Sequence, residues 1–266
     1  MLAVAGSDSG AGAGIQADLK TCAALGVYAA TVVTAVTAQN TLGVRHVEPV
    51  SRASVEAQLN AVFDDFNVAA VKIGLVPNRA LADVIGQVLR ARTPHYVVLD
   101  PVGTASAGGE MADRDAASAL TEHLFPLATV LTPNVNEALT LTGLVDSPRD
   151  EESTLLAAGR ALLALGPAYV LLKGGHRPTQ EAVDILLSVA SSERRYRGAR
   201  LNVHNDHGTG CTLSSAIAAQ LALGATVEEA VETAKRYVTG ALSRADALTL
   251  GRGPGPLDHF FCSNGG

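Results

Sequence analysis

The sequence predicts an α/β fold in which helices cover both faces of a mostly parallel β-sheet. Short apolar segments alternate with helical patterns along most of the 266 residues. Hydrophobic residues make up 47% of the chain, and Ala, Val, Leu and Gly dominate, as in sheets buried on both faces. Polar residues, Lys72 and Asp100 among them, stand at the ends of several predicted strands, at the edge where such sheets bind ligands. Because no linker or repeat interrupts the pattern, we predict one domain over residues 1–266.

The first elements are marked by glycine and by β-branched residues. A short apolar strand at Leu2–Ala5 ends at a glycine, and the helix Gly14–Leu25 has an apolar face and a glycine stop. The β-branched segment Ala30–Ala38 predicts a central strand. Val44–Val50 alternates and contains a proline, which predicts an exposed edge or lid strand. A helix is expected over Ser54–Asp65, with Ser54 as its cap.

The rest of the chain continues the alternation of strands with helices. Short apolar segments predict strands at Ala69–Ile73, Tyr96–Leu99, Thr129–Leu131 and Tyr169–Leu172, and a hairpin at Asp184–Val189 and Arg194–Tyr196. The remaining predicted helices are Asn78–Arg92, Asp113–His123, Glu137–Leu141, Glu152–Leu165, Thr209–Leu223 and Val227–Leu248.

Composition and charge exclude several classes of function. The formal net charge is −6, and no basic run or basic helix is present, which argues against nucleic acid or an anionic membrane as partner. Cys22, Cys211 and Cys262 lie far apart without a CxxC pair, so neither a zinc site nor a disulfide framework is indicated. We see no signal peptide before the first strand and no apolar run of roughly 18 residues, and therefore expect a cytoplasmic protein.

The most informative stretch is a glycine turn at residues 205–213, Asn-Asp-His-Gly-Thr-Gly-Cys-Thr-Leu, which leads directly into an apolar helix. Gly208 and Gly210 permit close approach of the backbone, and the N–H groups from Gly210 onward lack partners within the helix. Together with the helix dipole, these groups suit a phosphate. The spacing is not that of a P-loop or a dinucleotide fingerprint. The alternative interpretation is an ordinary glycine turn before a helix.

A second glycine loop joins the first predicted strand to the first helix. Its glycines stand at positions 6, 10, 12 and 14, which is not the spacing of a dinucleotide-binding loop. No acidic residue ends the second strand, where a ribose would require one. We therefore expect this loop to form a turn that packs over a small polar ligand.

Other polar residues at strand ends have the chemistry of a phosphate or metal site. Asp100 places a carboxylate at a strand end, and Lys173 could neutralise transferring phosphoryl oxygens unless it is simply solvated. Asn134 is the expected N-cap of a helix that has Glu137 at about its third position. Glu137 either closes a capping box or holds Mg²⁺ through water, since Mg²⁺ favours few carboxylates, retained waters and substrate phosphates.

Seven motifs occur in one order along nearly the whole chain. They are Gly6–Ser9 continuing to Gly14–Thr21, Ala38–Thr41, Lys72–Gly74, Asp100–Val102, Leu131–Asn134, Lys173–His176 and His207–Thr212. Together they resemble the hydroxymethylpyrimidine/phosphomethylpyrimidine kinases of thiamine biosynthesis, within the ribokinase-like superfamily. The resemblance implies a three-layer α/β/α sandwich with a small lid or edge β-segment. It also implies that Mg-ATP phosphorylates 4-amino-5-hydroxymethyl-2-methylpyrimidine and then its monophosphate.

The resemblance also implies roles for individual residues. Gln39 would bond to the aminopyrimidine edge, and the segment near residues 44 to 50 would cover the site or join a homodimer. The other expected site residues are Gly6, Ala13 and Val102 in the substrate pocket, Glu137 and Asp100 near Mg²⁺, Lys173, Asn134 and Thr209 at the nucleotide, and Gly208, Gly210 and Cys211 in an anion hole.

Cys211 stands where sugar kinases of the superfamily resemble Gly-x-Gly-Asp, with Asp as base. The helix N-terminus is expected to lower the pKa of this thiol below about 8.5, and in phosphoryl transfer positioning outweighs base strength. In the second phosphorylation the attacking phosphate oxygen is already ionised, since its second pKa is about 6, and an Asp would repel it. We therefore interpret the cysteine as a group that tolerates both acceptors. Its alternative role is that of a small packing residue.

Two departures from the family pattern leave the substrate open. The family usually has Met-x-Ala-Lys-Ser-Gly after Asp-Pro-Val, whereas residues 103–108 are Gly-Thr-Ala-Ser-Ala-Gly, and Leu75 stands where a Met follows Lys-Ile-Gly. A roomier pocket with one cation fewer is expected. This leaves a pyridoxal or pyridoxine kinase as the alternative enzyme. An alternative of another class is a non-catalytic pyrimidine-binding sensor, which would not need the phosphate-binding residues.

Overall fold

The structure is a computed structural model that describes residues 1–102, 112–113, 115–145, 151–174, 181–190 and 193–262. Within these residues the strands are β1 (Leu2–Asp8), β2 (Ala30–Asn40), β3 (Gly43–Pro49), β4 (Ala70–Ile73), β5 (Tyr96–Leu99), β6 (Val130–Leu131), β7 (Tyr169–Leu172), β8 (Glu181–Ser188) and β9 (Arg194–Ala199). The α-helices are α1 (Gly14–Ala24), α2 (Arg52–Asp65), α3 (Arg79–Arg92), α4 (Ala116–His123), α5 (Val135–Thr142), α6 (Glu151–Leu163), α7 (Thr209–Ala222) and α8 (Val227–Ser243).

The described strands form one sheet in the order β3-β2-β1-β4-β5-β6-β7-β8-β9. Six neighbouring strands run parallel to one another: β2, β1, β4, β5, β6 and β7. The other three pair in antiparallel fashion, β3 with β2, β8 with β7 and β9 with β8. The chain first adds strands on one side of β1 and then, from β4 on, adds them on the other side. This reversal of strand order opens a crevice at the carboxyl ends of the strands. The structure thus confirms the predicted mostly parallel sheet.

Two hydrophobic clusters cover the two faces of the sheet. In β5, Val97 and Leu99 face a cluster that includes residues of α2 to α6, whereas Val98 faces a second cluster with α7 and α8. Alternate residues of a strand point to opposite faces, so an apolar strand such as β5 supplies both cores. The three-layer architecture is therefore confirmed. The prediction of a single domain over residues 1–266 stays a prediction, which the continuous sheet supports.

Several element boundaries differ from the predicted ones. The prediction of Ser54 as a helix cap is wrong: Ser51 is the N-cap of α2, and its side chain accepts a hydrogen bond from the Ser54 N–H at 3.3 Å. The helix α4 begins at Ala116 rather than Asp113. The helix α8 ends at Ser243 rather than Leu248, and a short 3₁₀ turn follows it.

The strand β3 lies at the edge of the sheet, as predicted from its alternating pattern and its proline. All seven of its residues are half-buried or exposed, which suits an edge strand with one partner. Whether this segment covers a ligand stays a prediction. In the described part of the chain we find no helix with the length and apolar character that crossing a bilayer would require.

Candidate active site

A cleft of about 710 Å³ opens at the carboxyl ends of the parallel strands. The two glycine loops form one wall, and the β8–β9 hairpin with α8 forms another. All the predicted site residues line this cleft: Gly6, Ala13, Gln39, Asp100, Val102, Asn134, Glu137, Lys173, Gly208, Thr209, Gly210 and Cys211. The sheet thus gathers residues that are far apart in sequence. Their individual roles stay predictions.

The helix α7 begins at the cleft with an uncapped N-terminus. Gly208 is its N-cap in a left-handed conformation, with φ of +88°, and no side chain of the described residues caps the helix there. The N–H of Thr212 donates to the Gly208 carbonyl at 2.9 Å, which leaves the N–H groups of Gly210 and Cys211 without partners inside the helix. The first turn of α7 therefore presents backbone donors to the cleft, as an anion site requires.

The two glycine loops pack directly against each other at this point. A Cβ atom on Gly208 would collide with the carbonyl oxygen of Gly12, and one on Gly12 would meet the ring of His207. Only glycine fits between the loops. The close packing fixes the start of α7 relative to the loop that precedes α1.

Asp8 organises the first glycine loop. Its carboxylate accepts hydrogen bonds from the N–H groups of Gly10 at 2.7 Å, Gly12 at 3.0 Å and Ala13 at 2.8 Å. Burial alone would raise the pKa of Asp8, but His207 and these amides outweigh it and hold the pKa below its usual value. Three amides of the loop are thus bound by its own aspartate rather than by a ligand.

Gln39 is anchored at the cleft wall by two neighbours. Its Nε2 lies 3.1 Å from Nε2 of His207, and its Oε1 accepts a hydrogen bond from the Thr37 hydroxyl at 3.3 Å. His207 in turn lies 3.2 Å from the Asp8 carboxylate. Sequence reasoning gave His207 no role of its own, although its place just before Gly-x-Gly could have indicated one.

Lys173, Asp100 and Glu137 form a charged group in the middle of the cleft. The Lys173 Nζ lies 2.8 Å from Oδ1 of Asp100 and 3.8 Å from Oε2 of Glu137. Burial alone would raise the pKa of Asp100, but the ammonium groups of Lys173 and Lys72 outweigh it and lower the pKa. Burial raises the pKa of Glu137, against the opposing charge of Lys173. The alternative of a solvated Lys173 is therefore wrong.

Glu137 forms the capping box of α5. The Asn134 side chain accepts from the Glu137 N–H at 2.8 Å, and Oε2 of Glu137 accepts from the Asn134 N–H at 2.7 Å. The capping alternative is thus confirmed, while the same carboxylate also borders the cleft. Among the residues that the structure describes, no three His, Cys, Asp or Glu side chains are grouped so as to hold a metal.

Cys211 differs from expectation in its acidity. Burial raises the pKa of its thiol to about 11, although Lys72 and a hydrogen bond from the Gly14 N–H act in the opposite direction. The prediction that the helix N-terminus lowers this pKa is therefore wrong, because desolvation of the thiolate outweighs the favourable charges. The thiol at the cleft is neutral at pH 7.

One polar strand end does not reach the cleft. Lys72 is completely buried, and its Nζ lies 2.7 Å from Oδ1 of Asp18, which is also completely buried. The same carboxylate oxygen accepts a hydrogen bond from Ser215 of α7 at 2.6 Å. Expecting Lys72 at the edge of the cleft was wrong; its pairing with Asp18 was missed, although a lysine in an otherwise apolar strand was a signal. The motif positions 103–108, 175 and 176 lie outside the described residues.

The family profile described as phosphomethylpyrimidine kinase matches residues 8–258. The chain belongs to this family. It is 50% identical to the hydroxymethylpyrimidine/phosphomethylpyrimidine kinase of Rhizobium meliloti, over 97% of this chain and 96% of that protein. Family membership identifies the chain as a kinase and excludes the non-catalytic sensor.

Two solved structures support the same fold. The phosphomethylpyrimidine kinase of Clostridium difficile aligns with a TM-score of 0.78 at 42% identity, covering 90% of this chain and 97% of that one. The ADP complex of Bacillus subtilis pyridoxal kinase aligns with a TM-score of 0.87 at 33% identity, covering 99% and 98%. The ribokinase-like fold expected from the resemblance is thereby confirmed, as is the use of ATP by this kinase.

Proposed function

We propose that this kinase transfers the γ-phosphoryl group of ATP to 4-amino-5-hydroxymethyl-2-methylpyrimidine and then to the monophosphate, in thiamine biosynthesis. Family membership and the name of the Rhizobium meliloti relative support this assignment. The observation that carries it is one cleft that joins an uncapped helix N-terminus to the Lys173–Asp100 pair and to Gln39. In one cleft, this arrangement would bind a phosphate group, offset its negative charge and bind a polar heterocycle.

The substrate end of the cleft lies near the first glycine loop. Gln39 offers an amide there, whose donor and acceptor match the ring nitrogen and amino group of an aminopyrimidine. Gly6, Ala13 and Val102 have small or compact side chains that leave room for a flat ring. The Cδ2 of Leu75 would lie 2.9 Å from a Cβ at Gly6, so Leu75 closes the space above this glycine.

The phosphate end of the cleft is formed by α7 and Lys173. The amides of Gly208, Gly210 and Cys211 would hold the migrating phosphoryl group, Thr209 and Asn134 would contact the nucleotide, and Lys173 would offset the charge on its oxygens. The bond from the acceptor oxygen to phosphorus forms as the bond to ADP breaks, and in the first step the hydroxyl proton is released to water. Because the transition state is loose, fixed donors and charges contribute more than a strong base.

The neutral thiol of Cys211 fits a two-step reaction. In the first step the acceptor is a hydroxyl, and in the second it is an ionised phosphate. A neutral group at this position repels neither acceptor. The high pKa of the thiol therefore supports tolerance of both acceptors and not a role as base.

Mg²⁺ fits the residues at the centre of the cleft. When bound with ATP, it would neutralise the β- and γ-phosphates. Mg²⁺ keeps several waters and takes few protein carboxylates, which agrees with a pair of acidic side chains rather than a closed cage. Glu137 borders the cleft, and it would hold the ion through water. Asp100 already accepts hydrogen bonds from Lys173 and Thr132, so it would act on the ion through its charge without binding it.

Pyridoxal remains the second candidate substrate. The observation in its favour is the TM-score of 0.87 with the Bacillus subtilis pyridoxal kinase, against 0.78 with the Clostridium difficile phosphomethylpyrimidine kinase. Sequence identity favours the pyrimidine, because the chain is 33% identical to the pyridoxal kinase and 42% identical to the phosphomethylpyrimidine kinase.

ADP release with hydroxymethylpyrimidine, its monophosphate and pyridoxal tests the proposal. We expect turnover of both pyrimidines and a higher kcat/KM for them than for pyridoxal. Gln39→Met should lower kcat/KM on the pyrimidine about 10-fold to 100-fold, since an amide hydrogen bond to the ring is lost. Activity on pyridoxal alone would reject the assignment.

We infer that the chain forms a homodimer through the β2–β3 edge. Val36 of β2 and Leu42 of the turn between β2 and β3 are 52% and 54% exposed, and these two apolar side chains beside the edge strand would favour association. Light scattering should give a dimer for the wild type and a monomer for Val36→Lys. Val189→Lys, at an equally apolar but distant position that is 84% exposed, is the matched control and should stay dimeric. A monomeric wild type would contradict the inference.

A further inference from the structure

Two buried lysine–aspartate pairs lie beside the first turns of α7. Ser214 of this helix contacts Asp100 at 3.5 Å, and Asp100 is paired with Lys173. The next residue, Ser215, donates to Asp18 at 2.6 Å, and Asp18 is paired with Lys72. Consecutive serines of the helix are thus tied to two different carboxylates, and each carboxylate has its own lysine.

The two pairs differ in their access to the cleft. The Lys173 side chain is 13% exposed and lines the cleft, whereas Lys72 and Asp18 are wholly enclosed. The Nζ of Lys72 lies so close to Gly74 that a Cβ there would approach it to 2.9 Å. An enclosed ion pair of this kind costs desolvation free energy and is weak evidence for a purely stabilising role.

The position of the enclosed pair relates it to the anion site. Ser215 follows Cys211 by one helical turn, so both residues lie on the same face of α7. A carboxylate behind this face would oppose the binding of a phosphate at the helix N-terminus, because like charges repel most strongly where water is excluded. The second oxygen of Asp18, Oδ2, is buried and has no hydrogen-bond partner among the described residues, so Lys72 is the charge that balances it.

We propose that Lys72 is a positioning residue of phosphoryl transfer, which neutralises Asp18 behind α7 while Asp18 holds Ser215 and thereby the helix turn that bears Cys211. The proposal rests on the proposed phosphoryl transfer at this helix N-terminus. The charge of Lys72 reaches the site: burial raises the pKa of Cys211, and Lys72 is the strongest influence that lowers it. Asp18 acts on the same thiol in the opposite direction.

Opposite effects of the two single substitutions provide the test. Lys72→Met keeps the length of the side chain and removes the cation, and Asp18→Asn keeps the shape and removes the anion. We would measure alkylation of Cys211 by iodoacetamide across the alkaline pH range, without ligands, by mass spectrometry of its peptide. Lys72→Met should slow alkylation, Asp18→Asn should accelerate it, and the double variant should lie near the wild type. The exposed Cys262 is an internal control whose alkylation should not change.

Kinetics provide the second measurement. Lys72→Met should lower kcat about 100-fold, because the Asp18 carboxylate, no longer neutralised, would oppose the negative charge of the transition state at the start of α7, with little change in the Kd of the pyrimidine. Ser215→Ala, which removes only the contact to Asp18, should lower kcat about threefold to tenfold. The double variant that combines Lys72→Met with Asp18→Asn should recover most of the thermal stability that either of these single variants loses.

Alkylation that slows equally in both single variants, or that changes in neither, would indicate a purely structural pair and overturn the proposal. If Lys72→Met does not fold, Asp18→Asn decides by itself. Alkylation of Cys211 that is faster than in the wild type supports the proposal, and equal or slower alkylation rejects it. Because alkylation is measured without ligands, its outcome does not depend on the heterocycle. Failure of the wild type to phosphorylate hydroxymethylpyrimidine would instead contradict the proposed function.

Discussion

The Nζ of Lys173 lies 2.8 Å from Oδ1 of Asp100, and the carboxylate of Asp100 is almost completely buried. The pair joins the end of β7 to the end of β5 in the middle of the cleft. Burial would lower the pKa of Lys173, but the charges of Asp100 and Glu137 more than offset this and raise it. Lys173 therefore carries its positive charge at neutral pH.

Lys173→Met should affect both folding and catalysis. Removing one partner of a buried ion pair should lower the free energy of unfolding by about 3–5 kcal/mol. Loss of a cation beside the migrating phosphoryl group should lower kcat by about 10²–10³. Chemical denaturation and steady-state kinetics measure the two effects.

Lys235→Met provides the matched comparison. Lys235 pairs with Asp184 at 2.6 Å, and its side chain has the same 13% exposure, but this pair belongs to the other wall of the cleft, formed by α8 and the β8–β9 hairpin. We expect a similar loss of stability with a smaller loss of kcat. Equal losses of kcat in the two variants would contradict a specific role of Lys173 in the chemistry.

Cys211→Asp should separate the two phosphorylation steps. The ionised phosphate acceptor of the second step would be repelled by the new carboxylate, by at least about 1 kcal/mol even in a well-solvated site. The kcat/KM for the monophosphate should therefore fall at least about fivefold further than that for the hydroxymethyl compound. Cys211→Ala is the control and should change both steps alike. Equal losses in the aspartate variant would count against the tolerance of two acceptors.

Gly208→Ala should disrupt the contact between the glycine loops. Gly208 has φ of +88°, and a Cβ there would collide with the Gly12 carbonyl, so the start of α7 must move. Gly26→Ala is the matched control, because Gly26 has φ of +73° but nothing within 4 Å of the new atom. We expect loss of activity for the first variant and a stability cost of about 1 kcal/mol for the second. An active Gly208→Ala variant would show that the helix N-terminus need not be fixed.

Asp8→Asn should weaken the protein in a pH-dependent way. The pKa of Asp8 is lowered in the folded state, so the folded state binds fewer protons there than the unfolded state. Its contribution is complete above the unfolded pKa of about 3.9 and is lost as the pH falls through the folded pKa. The variant should therefore be about 1–3 kcal/mol less stable at pH 7, and the difference should shrink below about pH 4.

Urea unfolding at neutral and acidic pH measures this difference. Asp65→Asn, at an exposed position at the end of α2, serves as the control and should show little change at either pH. A constant difference between Asp8→Asn and the wild type across the pH range would mean that shape rather than charge holds the loop.

Part of the site was predictable because its determinants are local. The Asn134–Glu137 capping box follows from residues three apart, and the glycine turn before α7 follows from a short motif. The gathering of Gln39, Asp100 and Lys173 was also predictable, since parallel strands place their carboxyl ends at one edge. The cap of α2 was not, because both Ser51 and Ser54 are suitable capping residues and only the backbone geometry distinguishes them.

The sequence by itself determined the alternation of strands and helices, the three-layer class and twelve of the residues that meet at the cleft. Only the tertiary structure decided that Lys72 turns away from this cleft to Asp18, 54 positions away in the chain. It also decided that burial raises the pKa of Cys211, against the helix N-terminus. The physical reason is that desolvation and charge pairing depend on distances between segments that are remote in sequence, which a local pattern of residues does not contain.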